Sequence, residues 1–372
     1  MTVLANISSQ GLPPSHRLEG ALDRFARFPQ LRALAWSGEF LYASRGYELL
    51  RAEFADPSRS IVWQPVATFV APWQRRLAVT NRLTARLFRS GYHALSILPS
   101  GALVAAVPGA IVSLRPGETE FRQTHKITRG IRPLHIAAVP GGAIYWGEYF
   151  DNPRREQVHI YASRDAGATW NVAYSFPAGA IRHVHNVVYD RWGNCLWITT
   201  GDYGEECRIL RASCDLSRVE TVVRGNQQAR AVALVPLEDA LYFSSDTPLE
   251  ANFIYRLDRG GKVSRLAAIS SSSIYGCRVG DRIFFSTMAE PSEVNSDDGV
   301  RIYGSVPGNS IWQPLLAWRK DRWPMRLFQY GNAFLPDGEN TTSLLAVTTS
   351  AVESDDMATS LFSLRPGNGA LP

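Results

Sequence analysis

The sequence predicts an all-β chain: a seven-bladed β-propeller with four antiparallel strands per blade, or six blades if the irregular first or last unit does not form one. Three observations carry this expectation. Short runs rich in Val, Ile, Tyr, Phe and Trp, each bounded by Gly, Pro, Asn or Asp, recur along the whole chain. Their grouping repeats every ~40–50 residues, the length of one four-stranded blade. Beyond about residue 90 there is no amphipathic pattern long enough for a ten-residue helix.

The units fall at approximately 31–68, 92–126, 133–176, 183–224, 229–268, 272–318 and 327–366, within one domain spanning 1–372. In the third, "LHIAAV" leads through the turn "PGG" to "AIYWGEY", then the loop "FDNPRREQ", "VHIYASR", "DAGAT" and "WNVAYSF". The fourth repeats this as "HVHNVVY", "DRWGN", "CLWITTGD", "YGEE", "CRILRAS" and a strand ending "VETVVR". The N-terminal "TVLANI" is a candidate for the strand that closes the ring. The linker before His93 is long and basic, with Arg75, Arg76, Arg82, Arg86 and Arg89, and is expected to lean over the channel as a partly helical lid.

Composition narrows the function classes. The 372 residues carry a net charge of +5 and are 45% hydrophobic and 20% charged, ordinary for a globular chain. No apolar run of about 18 residues is present, so no membrane span is expected. The N-terminus lacks a basic n-region followed by a long apolar stretch, so the chain as written is expected in the cytoplasm; a leader already removed would make it secreted or periplasmic. Nearly all the basic residues are arginine, whose planar fork matches carboxylates and phosphates. No basic run is interleaved with aromatics, which disfavours nucleic acid. Cys195, Cys207, Cys214 and Cys277 lack zinc-type spacing and read as reduced thiols. A monomer is expected.

The stretch "SRDAGATW" (Ser163, Asp165, Gly167, Thr169, Trp170) has the pattern S-x-D-x-G-x-T-W. The aspartate can cap the amides of a tight turn, the glycine supplies a permissive backbone and the tryptophan packs between strands. It resembles the Asp box of BNR-repeat, sialidase-like β-propellers. The resemblance implies a hairpin between third and fourth strands, on the face opposite the usual site. There is one good copy and no Phe-Arg-Ile-Pro start, so a true sialidase is not expected.

In such a ring the starts of the innermost strands and the ends of the second strands emerge on one face. Reading those positions gives His93, His135, His183, His185, Arg230, Tyr275 and Tyr330, then Glu148, Asp202, Asp246 and Glu290. "IRPLH" and "IRHVH" place Arg132 and Arg182 at matching positions in neighbouring units. Candidate catalytic residues are therefore His135, His185, His183, His93, Glu148 and Asp202. Candidate substrate contacts are Arg132, Arg182, Arg230, Tyr149, Tyr275, Tyr330 and Trp146, with Tyr203, Tyr92 and Trp73 as further aromatics. His183-x-His185 on a strand sets two imidazoles on one face, about 7 Å apart at the backbone. With His135 from the neighbouring unit they could hold a divalent metal (Mn, Ca or Zn).

Imidazole, arginine, tyrosine and carboxylate around one mouth suit acid–base work on an anionic oligo- or polysaccharide. The residue types are similar to those of propeller lyases of the ulvan and oligogalacturonate type, and that resemblance implies β-elimination beside a uronic acid. Histidine or tyrosine would supply base and acid, and arginine or metal would neutralise the carboxylate. Two alternatives stand beside it: a glycoside hydrolase using two carboxylates from Glu148, Asp202, Asp246 and Glu290, and a non-catalytic propeller that binds a glycan or a protein.

Overall fold

The structure is a computed structural model that describes residues 22–56 and 60–364. Its strands form seven four-stranded antiparallel meanders. The innermost strands are Arg32–Gly38, Ala94–Ile97, Ala137–Ala138, Val184–Asp190, Ala231–Pro236, Ser273–Val279 and Asn332–Phe334, for blades one to seven. The apolar runs of the sequence form these strands because each blade buries both faces against its neighbours. The result is a separate apolar core at every seam. Ala137, Ile160 and Ile198 lie in the core between blades three and four, for example, and Phe284, Val300 and Val347 in that between six and seven.

The ring closes through the chain's beginning. Strand Leu22–Pro29 pairs antiparallel with Ala358–Leu364 as the outermost strand of blade seven. The segment "TVLANI" expected in that role lies outside the described residues. A second, unforeseen link lies at the channel: Asp337–Asn340 pairs in parallel with Ala35–Gly38 of blade one. The outer edges of blades one and two are also joined in parallel, Thr68 to Glu120 and Phe69 to Phe121.

The basic linker is partly helical, with α1 at Trp73–Ala78 and α2 at Arg82–Leu87. It meets α3, Met325–Phe328, which precedes blade seven. Arg86 fastens the two: it is 1% exposed, lies 2.6 Å from Asp321 and 3.1 Å from Asp356, and donates to the Phe328 carbonyl. These helices form a roof over the starts of the inner strands of blades two and seven, where the Arg89 carbonyl meets His93.

The "SRDAGATW" turn lies between the third and fourth strands of blade three, Val158–Ser163 and Asn171–Phe176. Asp165 accepts from the Thr169 amide (2.9 Å) and hydroxyl (2.6 Å), and the Gly167 amide donates to Ser163 Oγ (2.8 Å). Gly167 has φ +84° and sits where a Cβ would meet Val104 at 2.6 Å, so it fits both turn and seam. Trp170 donates to Thr124 of blade two, so the motif fastens one blade to the next. Among the described residues no helix is long and apolar enough to cross a membrane.

Candidate functional site

The site grows from the seam between blades three and four. Gly147 has no side chain where a Cβ would lie 2.5 Å from Val184 Cβ, and the Val184 amide donates to the Glu148 carbonyl at 2.9 Å. This close approach sets His183 against the Tyr149 ring, centroids 4.4 Å apart. His185 sits in a β-bulge between Val184 and Asn186, which re-aims its ring toward the channel.

Both imidazoles are fixed by carbonyls. His183 Nδ1 lies 3.0 Å from the Phe150 oxygen and His185 Nδ1 3.1 Å from the Ala231 oxygen. A carbonyl only accepts, so each Nδ1 carries the proton and each Nε2 presents a lone pair. Those two Nε2 atoms are 3.0 Å apart, and Asp202 Oδ1 lies 3.3 Å from one and 3.5 Å from the other. All three side chains are buried, and their ligand atoms lie within 4.8 Å of one another. Three acceptors converge with no donor between them, an arrangement that a cation stabilises. Two neutral imidazoles and one carboxylate fit a divalent transition metal.

Arginines and carboxylates surround this cluster. Arg182 lies 3.5 Å from Asp202, also pairs with Asp151 and approaches the exposed Tyr203 ring. Arg230 lies 3.3 Å from Asp202 and 3.5 Å from Asp246. Burial pushes the Asp246 carboxyl up to about 7, Arg230 opposing and Glu290 and Asp202 adding to the rise. Burial likewise raises Glu290, against the pull of Arg230 and a Ser272 hydrogen bond. The Tyr149 phenol is driven up to about 12 by burial and by the charges of Asp246 and Asp202. Burial pulls His185 down to about 4.

A second group of residues lines the mouth beside blades one to three. His93 Nε2 lies 2.7 Å from the Arg89 carbonyl and its Nδ1 3.3 Å from Arg32 Nη1. Both ring nitrogens are thus engaged, and His93 positions Arg32. His135 stands apart from the His183–His185 cluster, with Nδ1 3.1 Å from Asp337 and its ring near Tyr275. His135, expected beside His183 and His185, is held instead against Asp337 of the parallel strand, and Asp202 is the third residue of the cluster.

Two further expectations are corrected. Glu148 is bound by Arg129 through Nε (2.9 Å) and Nη2 and accepts from the His159 amide (2.8 Å), so its carboxylate is spent on fold. Trp146 is 2% exposed and stacked on Tyr161 in the seam with blade two, out of reach of a ligand. Tyr92 is likewise core, Trp73 is exposed on α1, and Tyr330 is half-buried on the loop before blade seven. Arg32 and Asp337 were missed. Arg32 opens the first repeat as "LRALAW", at the position from which the other inner strands were read, so the repeat itself could have found it. Below this level the inner strands enclose a cavity of about 890 Å³ whose lining includes His135, Asn186 and Asp337.

No family model and no curated protein matches this chain. Solved structures do. A chain of the mitotic checkpoint complex matches with TM-score 0.56 and 11% identity over 98% of this chain and 100% of its own. The WD40 β-propeller domain of Doa1 matches with TM-score 0.53 and 10% identity over 94% and 97%. A puromycin hydrolase S511A mutant matches with TM-score 0.52 and 12% identity over 90% of this chain but 52% of its own. At such identities the likeness concerns architecture alone, and it establishes that the chain is a β-propeller.

Proposed function

We propose that this propeller is a carbohydrate-active enzyme: a lyase that holds a divalent cation on His183, His185 and Asp202 and cleaves an anionic oligosaccharide beside a uronic acid. The observation that carries this reading is the convergence of two bare Nε2 atoms and one carboxylate next to Tyr149 and two arginines. The cation would polarise the uronate carboxylate and acidify the C5–H bond.

The chain's own residues would do the rest. With both imidazoles committed at both nitrogens, proton transfer falls to other groups. Asp246, raised to about 7 by burial, is suited to take the C5 proton near neutral pH. The electron pair left behind forms the C4–C5 double bond, the C4–O bond breaks, and the Tyr149 phenol gives its proton to the departing oxygen. Arg182 and Arg230 would hold the substrate carboxylate and offset the charge that develops on it.

Two measurements test this. Metal analysis of the purified protein should find about one divalent ion per chain, lost in His185→Ala. A screen of uronate polysaccharides should reveal the ultraviolet absorbance of an unsaturated product. Release of reducing ends without that absorbance would sink elimination and favour hydrolysis by Asp246 and Glu290.

A non-catalytic, protein-binding propeller is the second reading. It is favoured by the exposed apolar side chains on the roof, where Trp73 is 62% and Leu77 60% exposed. Wild-type protein inactive on every uronate polymer, yet retaining a partner through the roof, would favour it.

A further inference from the structure

The basic side of the mouth has an arrangement that the lyase reading leaves unused. Arg32 lies over the face of Phe334 (4.1 Å), points one Nη at His93 Nδ1 (3.3 Å), and keeps a buried Nε without a partner. Arg132 lies near Arg32 and Arg89, and among the described residues none of the three pairs with a carboxylate, whereas Arg182 and Arg230 each do. Burial and these like charges draw the Arg132 guanidinium down to about 9. Asp337 acts on Arg32 from a distance, but its carboxylate is bound to His135.

Like charges gathered at one mouth with no carboxylate paired to them are costly, and a bound anion removes that cost. The guanidinium fork fits an oxyanion through two parallel N–H bonds. Neighbouring phenols can add O–H donors. Tyr149 borders the His183 cluster, its ring packing on His183.

We propose that Arg32, Arg89 and Arg132, with Tyr275, form an oxyanion site distinct from the cation cluster, and that it takes a second acid group of the same oligosaccharide. The identity of the ligand rests on the lyase reading; the preference for an oxyanion rests on the arginines alone. Such a site would make the protein select oligomers over single sugars, because a monouronate has only one carboxylate to share between two sites.

The test has two arms. Inorganic sulfate serves as the probe in calorimetry and thermal unfolding of the wild type, Arg132→Gln, Arg32→Gln and Arg230→Gln. Sulfate should bind the wild type and raise its Tm. Arg132→Gln and Arg32→Gln should each weaken binding at least tenfold, and Arg230→Gln less than threefold. Without sulfate, Arg132→Gln should melt at or above the wild-type Tm, because it removes repulsion; a merely structural arginine would lower it. Failure of the wild type to bind sulfate, equal affinity in Arg132→Gln, or a drop in its sulfate-free Tm would each overturn the site.

The second arm uses ladders of oligogalacturonates and oligoglucuronates. Arg132→Gln should raise KM for trimers at least tenfold more than it lowers kcat. Product formed with an unchanged KM ratio would overturn this inference and leave the lyase reading standing. Sulfate discrimination without product from either ladder would leave the oxyanion site standing and remove the lyase reading.

Discussion

The two sides of the channel mouth hold charge in opposite ways. Beside blades four to six, Asp202, Asp246 and Glu290 gather around Arg230, and every strong charge has an opposite neighbour. Beside blades one to three, Arg32, Arg89 and Arg132 lie near one another with no carboxylate paired to them, and Arg32 rests on the Phe334 ring. The acidic side is neutralised from within, apart from the gap between His183, His185 and Asp202. The basic side is not. Tyr149 stands at the boundary, and the roof of α1, α2 and α3 lies over the basic side.

The boundary offers the strongest test. Tyr149→Phe should lower turnover by roughly 10²–10⁴-fold, the range for loss of a general acid, while metal content stays unchanged. Equal turnover, measured at saturating substrate, would move the acid elsewhere. The roof comes next. Arg86→Ala removes the buried cation that Asp321 and Asp356 share, leaving Asp321 only Lys320, and should cost about 3 kcal/mol in denaturant unfolding. It should weaken sulfate binding on the basic side more than metal binding on the acidic side.

A control outside both sides separates fold from site. Asp190 is fully buried and binds Arg259, the Trp197 indole (2.9 Å) and the Gly193 amide. Asp190→Asn should cost on the order of 3 kcal/mol without altering metal or sulfate binding. Burial alone would raise this carboxyl, but Arg259 and the two N–H donors hold it below its ordinary value. A depressed folded pKa gives stability that is complete above the unfolded value of about 4 and is lost as pH falls through the folded one. The Tm gap between wild type and Asp190→Asn should therefore narrow only in acid. The smallest effect belongs to Arg191, whose ion pair with Glu339 (2.8 Å) is more than half exposed on both sides. Arg191→Ala should change stability by less than about 1 kcal/mol, measured by the same unfolding.

The all-β propeller is legible in the sequence because a blade is built from local hairpins, and their turns and apolar runs recur with one period. The positions of His183, His185 and Asp202 follow from that period too, since strand starts and second-strand ends share a face. What the period does not encode is partner choice. Glu148 occupies the same repeat position as Asp202, yet Arg129, nineteen residues before it, binds its carboxylate. His135 is turned to Asp337 by a strand that belongs to no repeat. Trp146 alternates into a seam, so its exposure depended on how the neighbouring blade packed.

That extra strand has a mechanical consequence. Blade seven is tied into the ring at two radii: at the rim by Leu22–Pro29 running antiparallel, and at the channel by Asp337–Asn340 running parallel to Ala35–Gly38. A force applied at the amino end would peel the rim strand one residue pair at a time while the inner tie keeps blades seven and one together. Rupture would then begin at another joint of the ring.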